Sequence, residues 1–132
     1  RYTGRSLVDF GKYILLTNFS QYINSFAHRF GVPVLGEGFP IQSATAENLT
    51  ILNFGMGSAM AATVMDLLSA VEPAAVLFLG KCGGLKKTKI GDFILPIAAI
   101  RGEGTSNEYF PPEIPALPSF RMQAAVSAVI AR

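Results

Sequence analysis

A short apolar segment that ends in a cluster of glycines constrains the fold of this chain most. Residues 74–79 are apolar and include β-branched and aromatic members, so they predict a strand buried on both faces of a sheet. Gly80, Lys81, Cys82, Gly83 and Gly84 follow directly. Glycines permit a sharp turn and close approach to a ligand, and ligands bind at the carboxyl ends of strands in open α/β sheets. The turn is a candidate site, although a turn whose lysine points into water is an equal alternative.

The composition places the chain as one domain or part of one. It has 132 residues, of which 50% are hydrophobic and only 15% are charged. This apolar balance predicts extra burial, in an oligomer interface or against further chain. The net charge of +2 is too small to indicate nucleic-acid binding.

Other sequence-wide features exclude several classes of protein. A single cysteine excludes a disulfide framework and a cysteine-based zinc site, and it fits a cytoplasmic setting. No apolar run reaches the length of a membrane span, and no signal-peptide pattern is present. Because the sequence does not start with methionine, we expect that it begins inside a longer polypeptide or was processed.

Hydrophobic periodicity predicts alternating strands and helices. The expected strands are residues 13–16, 32–35, 41–46, 49–54 and 74–79, with a bent strand or strand pair in 90–100. The expected helices are residues 19–30, 59–71 and 120–131, of which the first ends at Gly31 and the last is capped by Ser119. Such alternation predicts an α/β fold whose sheet is mainly parallel and flanked by helices.

Four predicted strands end in turns that suit a ligand. These turns are residues 17–18, 55–58, 80–84 and 101–104. If the sheet is parallel there, all four lie at one edge. Their convergence is stronger evidence for a site than any single turn.

Neither glycine-rich turn matches a standard nucleotide motif. In the turn with Gly55 and Gly57, Met60 occupies the place of the third glycine or alanine of a dinucleotide fingerprint. The turn at Lys81 lacks the hydroxyl residue and first glycine of a phosphate-binding P-loop. Gly57 still precedes a predicted helix, whose N-terminus can bind an anion, and close packing of strand and helix is an equally good explanation.

A polar run near the end of the chain offers further candidate ligands for a phosphorylated sugar. It contains Arg101, Glu103, Thr105, Ser106 and Asn107, with Tyr109 and Phe110 able to stack on a base. A surface loop with an Arg101–Glu103 pair is the alternative, as is an anchoring role for one of the aromatic residues. Cys82 has no neighbouring histidine in the sequence, which argues against a nucleophilic role.

Four segments resemble the nucleoside phosphorylase superfamily and, within it, the AMP nucleosidase family. They are Gly-Met-Gly-Ser at 55–58, Leu-Phe-Leu-Gly-Lys-Cys-Gly-Gly at 77–84, Gly-Asp-Phe-Ile-Leu-Pro at 91–96 and Ile-Arg-Gly-Glu-Gly-Thr-Ser-Asn-Glu-Tyr-Phe-Pro-Pro at 100–112. The last segment is the most specific. The resemblance extends from about residue 2 to the end.

The resemblance implies a mixed, mostly parallel, partly barrel-like sheet flanked by helices, in a homo-oligomer such as a hexamer built from dimers. It implies hydrolysis of AMP to adenine and ribose 5-phosphate in purine salvage, without a metal or an organic cofactor. The implied substrate-binding residues are Asn18, Gly57, Lys81, Cys82, Gly83, Arg101, Glu103, Thr105, Ser106 and Tyr109.

Departures from the phosphorylases support hydrolysis. Asn18 and Tyr22 stand where hexameric purine phosphorylases carry a glycine and an arginine that bind the attacking phosphate. Phe78 replaces a second arginine, and Lys81 replaces a serine. Loss of these phosphate ligands makes water the expected nucleophile. Lys81 and Arg101 then become candidate ligands for the 5′-phosphate or the sugar of the substrate.

The resemblance also implies that the site is incomplete in this chain. In the superfamily a Met-Glu pair holds the ribose and an aspartate protonates the purine at N7, and neither motif occurs here. We therefore expect residues 1–132 to be the N-terminal part of one catalytic domain, with no regulatory domain and no catalytic residue. Two alternatives stay open: a related nucleosidase or phosphorylase for unphosphorylated nucleosides, and a non-catalytic nucleotide-binding or oligomerising segment.

Overall fold

A computed structural model describes residues 2–131, which form two compact units, residues 2–81 and residues 82–131. In the first unit lie β1 (Tyr13–Thr17), α1 (Ser20–Phe30), β2 (Gln42–Ala46), β3 (Leu49–Asn53), α2 (Ser58–Ser69) and β4 (Ala75–Leu79). The second unit contains α3 (Phe120–Ile130). Short 3₁₀ turns occur at Leu7–Asp9 and Thr105–Glu108.

The four strands form one sheet in the order β2-β3-β1-β4. Strand β1 pairs in parallel with both β3 and β4, whereas β2 pairs antiparallel with β3. A mixed, mostly parallel sheet was the sequence prediction, and it is confirmed. The parallel pairs follow from the helical crossovers α1 and α2, because parallel neighbours need long connections.

Helices cover opposite faces of the sheet because apolar side chains alternate along the strands. On one face, Leu16 of β1 and Leu52 of β3 pack in a buried cluster with Val64 and Leu68 of α2. On the other face, Ile51 of β3 and Ala44 of β2 pack with residues of α1, among them Ile23 and Phe26.

The helix boundaries follow local sequence signals. Apolar residues of α1 recur at helical spacing, so that Ile23, Phe26 and Ala27 are buried while His28 is exposed. Gly31 ends the helix in the left-handed conformation, with φ of 64°. Ser119 occupies the N-cap position of α3, but its side chain makes no capping hydrogen bond.

Two predictions about strands in the first unit are wrong. Strand β4 is not buried on both faces, since Phe78 is 55% exposed and Leu77 is 37% exposed. The strand is at an edge of the sheet, where it pairs with β1. Residues 32–35 do not form a strand, because their pairing is limited to a single bridge between Leu35 and Ser43.

The predicted strand or strand pair in residues 90–100 is also wrong. Within the second unit this segment forms turns and bends, and its pairing is one bridge between Ala99 and Ala116. Gly91 and Pro96 interrupt the apolar run, and glycine and proline both disfavour a continuous strand. Arg101 therefore does not follow a strand, which removes the reason for placing its turn at the edge of the sheet.

No helix in residues 2–131 is long and apolar enough to cross a membrane.

Candidate functional site

Three of the four predicted turns lie at one edge of the sheet. The register pairs Thr17, the last residue of β1, with Asn53 at the end of β3 and with Leu79 at the end of β4. Because these parallel strands end level, the turns that begin at Asn18, Phe54 and Gly80 emerge side by side. We call this the carboxyl edge, and it is the candidate site of the first unit.

Asn53 fixes the shape of the carboxyl edge. Its side chain is 9% exposed. Its Oδ1 accepts a hydrogen bond from the Gly55 backbone N–H at 3.3 Å, and its Nδ2 donates to Ser20 Oγ at 3.3 Å and Gln42 Oε1 at 3.4 Å. The sequence reasoning missed Asn53. The available signal was a polar residue at the end of a buried strand, directly before the glycines.

Gly57 gives the second turn a backbone that few other residues adopt. It is the N-cap residue of α2, with φ of 101° and ψ of 149°, and its carbonyl accepts the Ala61 N–H at 3.1 Å. This region of backbone conformation is essentially restricted to glycine. A Cβ added at Gly57 would meet nothing within 4 Å, so glycine is required by conformation and the space beside it is open.

Asn18 presents an unpaired hydrogen-bond acceptor at the same edge. Its Oδ1 is buried and has no hydrogen-bond partner among residues 2–131. Buried polar atoms nearly always have a partner, so this oxygen suits a ligand that donates a hydrogen bond. A hydroxyl group or a water molecule meets that requirement.

Lys81 is held against the first turn of α1. Its ammonium Nζ lies 4.6 Å from the centroid of the Phe19 ring and 5.4 Å from that of Tyr22. Nζ also donates a hydrogen bond to Gln21 Oε1 at 3.2 Å. We call Phe19, Gln21 and Tyr22 the lysine cradle. These contacts hold the Lys81 ammonium in one position. That Lys81 binds substrate stays a prediction.

The sequence reasoning did not identify the lysine cradle. From the sequence, residues 19–30 were expected to form a helix, and no role in a site followed for Phe19 or Gln21. Gln21 and Lys81 are 60 positions apart, and only the parallel pairing of β1 with β4 brings them together. No local spacing could have signalled this contact.

Arg101 organises the polar loop of the second unit. Its Nε donates to the Ile114 carbonyl at 2.6 Å and its Nη1 to the Ser106 carbonyl at 2.8 Å. Its Nη2 donates to the carbonyls of Phe110, at 3.1 Å, and Pro111. A guanidinium has five N–H bonds, so most of this group is engaged in holding the loop.

The other predicted residues of this unit lie along or beside the same loop. Glu103 accepts hydrogen bonds from the backbone N–H and the hydroxyl of Ser106. Thr105 begins the short 3₁₀ turn, and Tyr109 follows it with half of its surface exposed.

Cys82 and Gly83 are exposed at the start of the second unit. A Cβ added at Gly83 would meet nothing within 4 Å. A role in substrate binding stays a prediction for the residues of the Arg101 loop and for the turn at Cys82 and Gly83.

The structure also contains a cavity of about 380 Å³ that includes none of the predicted site residues. Its walls come from the N-terminal segment, including Arg5 and Phe10, and from α2, including Leu67 and Leu68. Within residues 2–131, no group of three or more His, Cys, Asp or Glu side chains is placed to hold a metal ion.

A profile of the family described as Phosphorylase superfamily matches residues 12–132. The chain belongs to this superfamily. The match covers all of the carboxyl edge and the Arg101 loop, and it confirms the predicted fold class.

Two relatives within the superfamily are AMP nucleosidases. The chain is 60% identical to a solved structure of AMP nucleosidase from Bacteroides thetaiotaomicron, with a TM-score of 0.94, over 99% of this chain and 56% of that one. It is 25% identical to AMP nucleosidase of Escherichia coli K12 over 152 residues, which cover 86% of this chain and 31% of that protein. The predicted resemblance to AMP nucleosidases is confirmed.

A phosphorylase also resembles part of the chain. Guanosine phosphorylase of Halorubrum lacusprofundi is 36% identical over 74 residues, which cover 55% of this chain and 31% of that protein. The chain thus spans about a third of these curated relatives and about half of the solved AMP nucleosidase. It contains part of the full fold of the family.

Proposed function

We propose that this chain is the N-terminal part of a catalytic domain that hydrolyses the N-glycosidic bond of AMP to give adenine and ribose 5-phosphate. The observation that carries the proposal is the 60% identity, over 99% of the chain, to a protein described as AMP nucleosidase. The E. coli relative at 25% identity has the same description.

In this proposal Lys81 binds the 5′-phosphate of AMP. A phosphate monoester is an anion, and an ammonium is a strong donor to such oxygens. Lys81 is exposed at the end of β4, and its recorded contacts in the first unit are with a neutral amide and two aromatic rings. Arg101 is the second candidate from the sequence, but its N–H bonds are largely engaged with loop carbonyls.

Asn18 and Gly57 would contact the sugar or the attacking water. The Asn18 Oδ1, which has no hydrogen-bond partner among residues 2–131, would accept a hydrogen bond from a ribose hydroxyl or from water. The backbone around Gly57, at the N-terminus of α2, leaves open space for an oxygen-rich ligand. Asn18 and Tyr22 offer no cation where the related phosphorylases bind inorganic phosphate, which supports water as the nucleophile.

The second unit supplies the remaining proposed contacts. The Tyr109 ring would stack on the adenine, and the Arg101 hydrogen bonds would hold the loop that carries it. Glu103, Thr105 and Ser106 would offer polar groups to the substrate, as would the exposed turn at Cys82 and Gly83.

The reaction breaks the C1′–N9 bond through an oxocarbenium-like transition state. This chain would bind and orient the substrate, which by itself lowers the barrier through positioning. The groups that protonate the purine at N7 and hold the ribose hydroxyls are expected outside residues 1–132. We further propose a cytoplasmic homo-oligomer, such as a hexamer, with no regulatory domain in this segment.

Product analysis tests the proposed function. The full-length protein that contains residues 1–132 is incubated with AMP, with adenosine, and with each plus inorganic phosphate. We expect AMP to give adenine and ribose 5-phosphate, and we expect this reaction to proceed without added inorganic phosphate. Formation of ribose 1-phosphate only when inorganic phosphate is present would show a phosphorylase instead.

That phosphorylase is the second candidate function. The 36% identity to guanosine phosphorylase over 74 residues favours it. The two candidates differ in the attacking group, and the phosphate dependence of the same assay separates them. The third alternative, a non-catalytic nucleotide-binding or oligomerising segment, predicts binding of AMP without any product.

A further inference from the structure

We propose that Phe19, Gln21 and Tyr22 are positioning residues, which fix the Lys81 ammonium for a phosphate monoester and thereby make the site selective for nucleotides over nucleosides. This inference rests on the proposed role of Lys81. It adds a function for Phe19, the N-cap residue of α1, and for Gln21 and Tyr22 of the helix. These residues would act on the 5′-phosphate through Lys81.

The first argument is that three groups converge on one nitrogen. Two ring centroids lie within 5.4 Å of Nζ, and Gln21 Oε1 lies 3.2 Å from it. A ring centroid within about 6 Å of an ammonium attracts it through the ring quadrupole. An exposed lysine without such contacts samples many rotamers, so the cradle restricts where its charge resides.

The second argument is that the cradle is neutral. An amide oxygen and two aromatic rings attract an ammonium without cancelling its charge, whereas a carboxylate would form an ion pair. Within residues 2–81, no carboxylate is recorded against Lys81. Among residues 2–81, no carboxylate therefore competes with an anionic ligand for this ammonium. Of its three N–H bonds, one donates to Gln21, which leaves donors for phosphate oxygens.

The third argument is that the cradle is anchored to the carboxyl edge. The Phe19 N–H donates to Thr17 Oγ1 at 3.2 Å, and the Tyr22 N–H donates to the Phe19 carbonyl at 3.1 Å. The Phe19 and Tyr22 rings pack edge to face, 6.0 Å apart at 82°. The cradle is thus built directly on the end of β1, beside Asn18.

These contacts predict a specific kinetic signature. Loosening the cradle leaves the lysine in place but spreads its charge over more positions. Binding of a substrate with a 5′-phosphate should weaken, while binding of the same nucleoside without the phosphate should not change. A residue that only supports the fold would affect both substrates alike.

The test uses the full-length protein and compares AMP with adenosine as substrates. The variants are Gln21→Leu, Gln21→Glu, Tyr22→Phe and Tyr22→Leu, with Lys81→Ala as the reference and Asn24→Leu as the control. Asn24 is exposed on the same helix and belongs to no predicted site. The measurements are kcat and KM for each substrate.

For Gln21→Leu we expect the KM for AMP to rise about three- to tenfold, with the KM for adenosine unchanged. Gln21→Glu should raise the KM for AMP further, because a carboxylate neutralises Lys81 and repels the phosphate. Tyr22→Phe should retain the wild-type KM, since it keeps the ring, while Tyr22→Leu should not. Asn24→Leu should behave as wild type.

The outcomes separate this proposal from the function on which it rests. If Lys81→Ala raises the KM for AMP selectively but the Gln21 and Tyr22 variants do not, the cradle has no positioning role and Lys81 keeps its role. If Lys81→Ala has no selective effect, the phosphate assignment itself is overturned.

Calorimetric titration with ribose 5-phosphate and ribose gives a readout that does not require turnover. Gln21→Leu should weaken binding of ribose 5-phosphate by the same factor as its KM effect and leave binding of ribose unchanged. Equal weakening for both sugars would overturn the positioning role.

Discussion

Replacement of Lys81 by alanine is the most direct test of the carboxyl edge. The variant removes the Lys81 ammonium. Within residues 2–81, this cation is held at the carboxyl edge by one hydrogen bond and two aromatic rings. Because Lys81 is exposed, its loss should leave the fold intact. We therefore expect the effect to appear in substrate binding alone.

The size of the effect follows from the type of contact. A hydrogen bond to a charged group contributes about 1.5–3 kcal/mol, and solvent screening reduces interactions of exposed charges. Since Lys81 is exposed, we take the lower end of this range. About 1.4 kcal/mol corresponds to a tenfold change in an equilibrium constant, so the KM for AMP should rise roughly tenfold.

The assay measures initial rates of adenine release from AMP and from adenosine by the full-length protein. The expected result for Lys81→Ala is a higher KM for AMP and an unchanged KM for adenosine. Lys12→Ala is a matched control, because Lys12 is also exposed but directly precedes β1, at the opposite edge of the sheet. An equal rise in KM for both substrates, or the same effect from Lys12→Ala, would refute the reasoning.

Three further predictions concern stability and loop order. Thr50→Val should lower the free energy of unfolding by about 1–3 kcal/mol in urea titration, because the Thr50 hydroxyl accepts a hydrogen bond from the buried Gly11 N–H at 2.9 Å. Thr50→Ser keeps the hydroxyl and should lower the free energy of unfolding less. Equal decreases for the two variants would contradict this reason. Gly57→Ala should cost about 1–3 kcal/mol in the same titration, because alanine is strained at φ of 101°, and no change would show that the turn relaxes. Arg101→Lys should speed proteolysis within residues 101–118, because one ammonium cannot replace a guanidinium that donates to four carbonyls; unchanged cleavage would show that the loop is held by other contacts.

Much of the first unit could be predicted from its sequence. The apolar residues of α1 recur with helical period, and those of β1 and β3 form short apolar runs, so the type of each element follows from local pattern. Gly31 marks the end of α1 for the same local reason, since it supplies a left-handed conformation. The turns after β1, β3 and β4 were found as candidate sites because polar residues and glycines follow each apolar run.

The errors arose where pairing decides the structure. Apolar content predicted full burial for β4, but this strand lies at an edge of the sheet and its Phe78 is 55% exposed. Apolar content likewise predicted a strand in residues 90–100, where Ala99 makes a single bridge to Ala116. A strand requires partners, and the partner of a segment cannot be read from its own composition.

The glycine turn at Lys81 shows how the two levels of information divide. By itself the sequence determined that a cation follows a strand among glycines, because backbone turns and strand propensities are local properties. Only the tertiary structure decided where that cation lies, because the pairing of β1 with β4 sets Lys81 beside Gln21, 60 positions earlier. The proposed chemistry of the site depends on the distance between Lys81 and Gln21. Distances between residues so far apart in the sequence are fixed by the packing of the whole sheet.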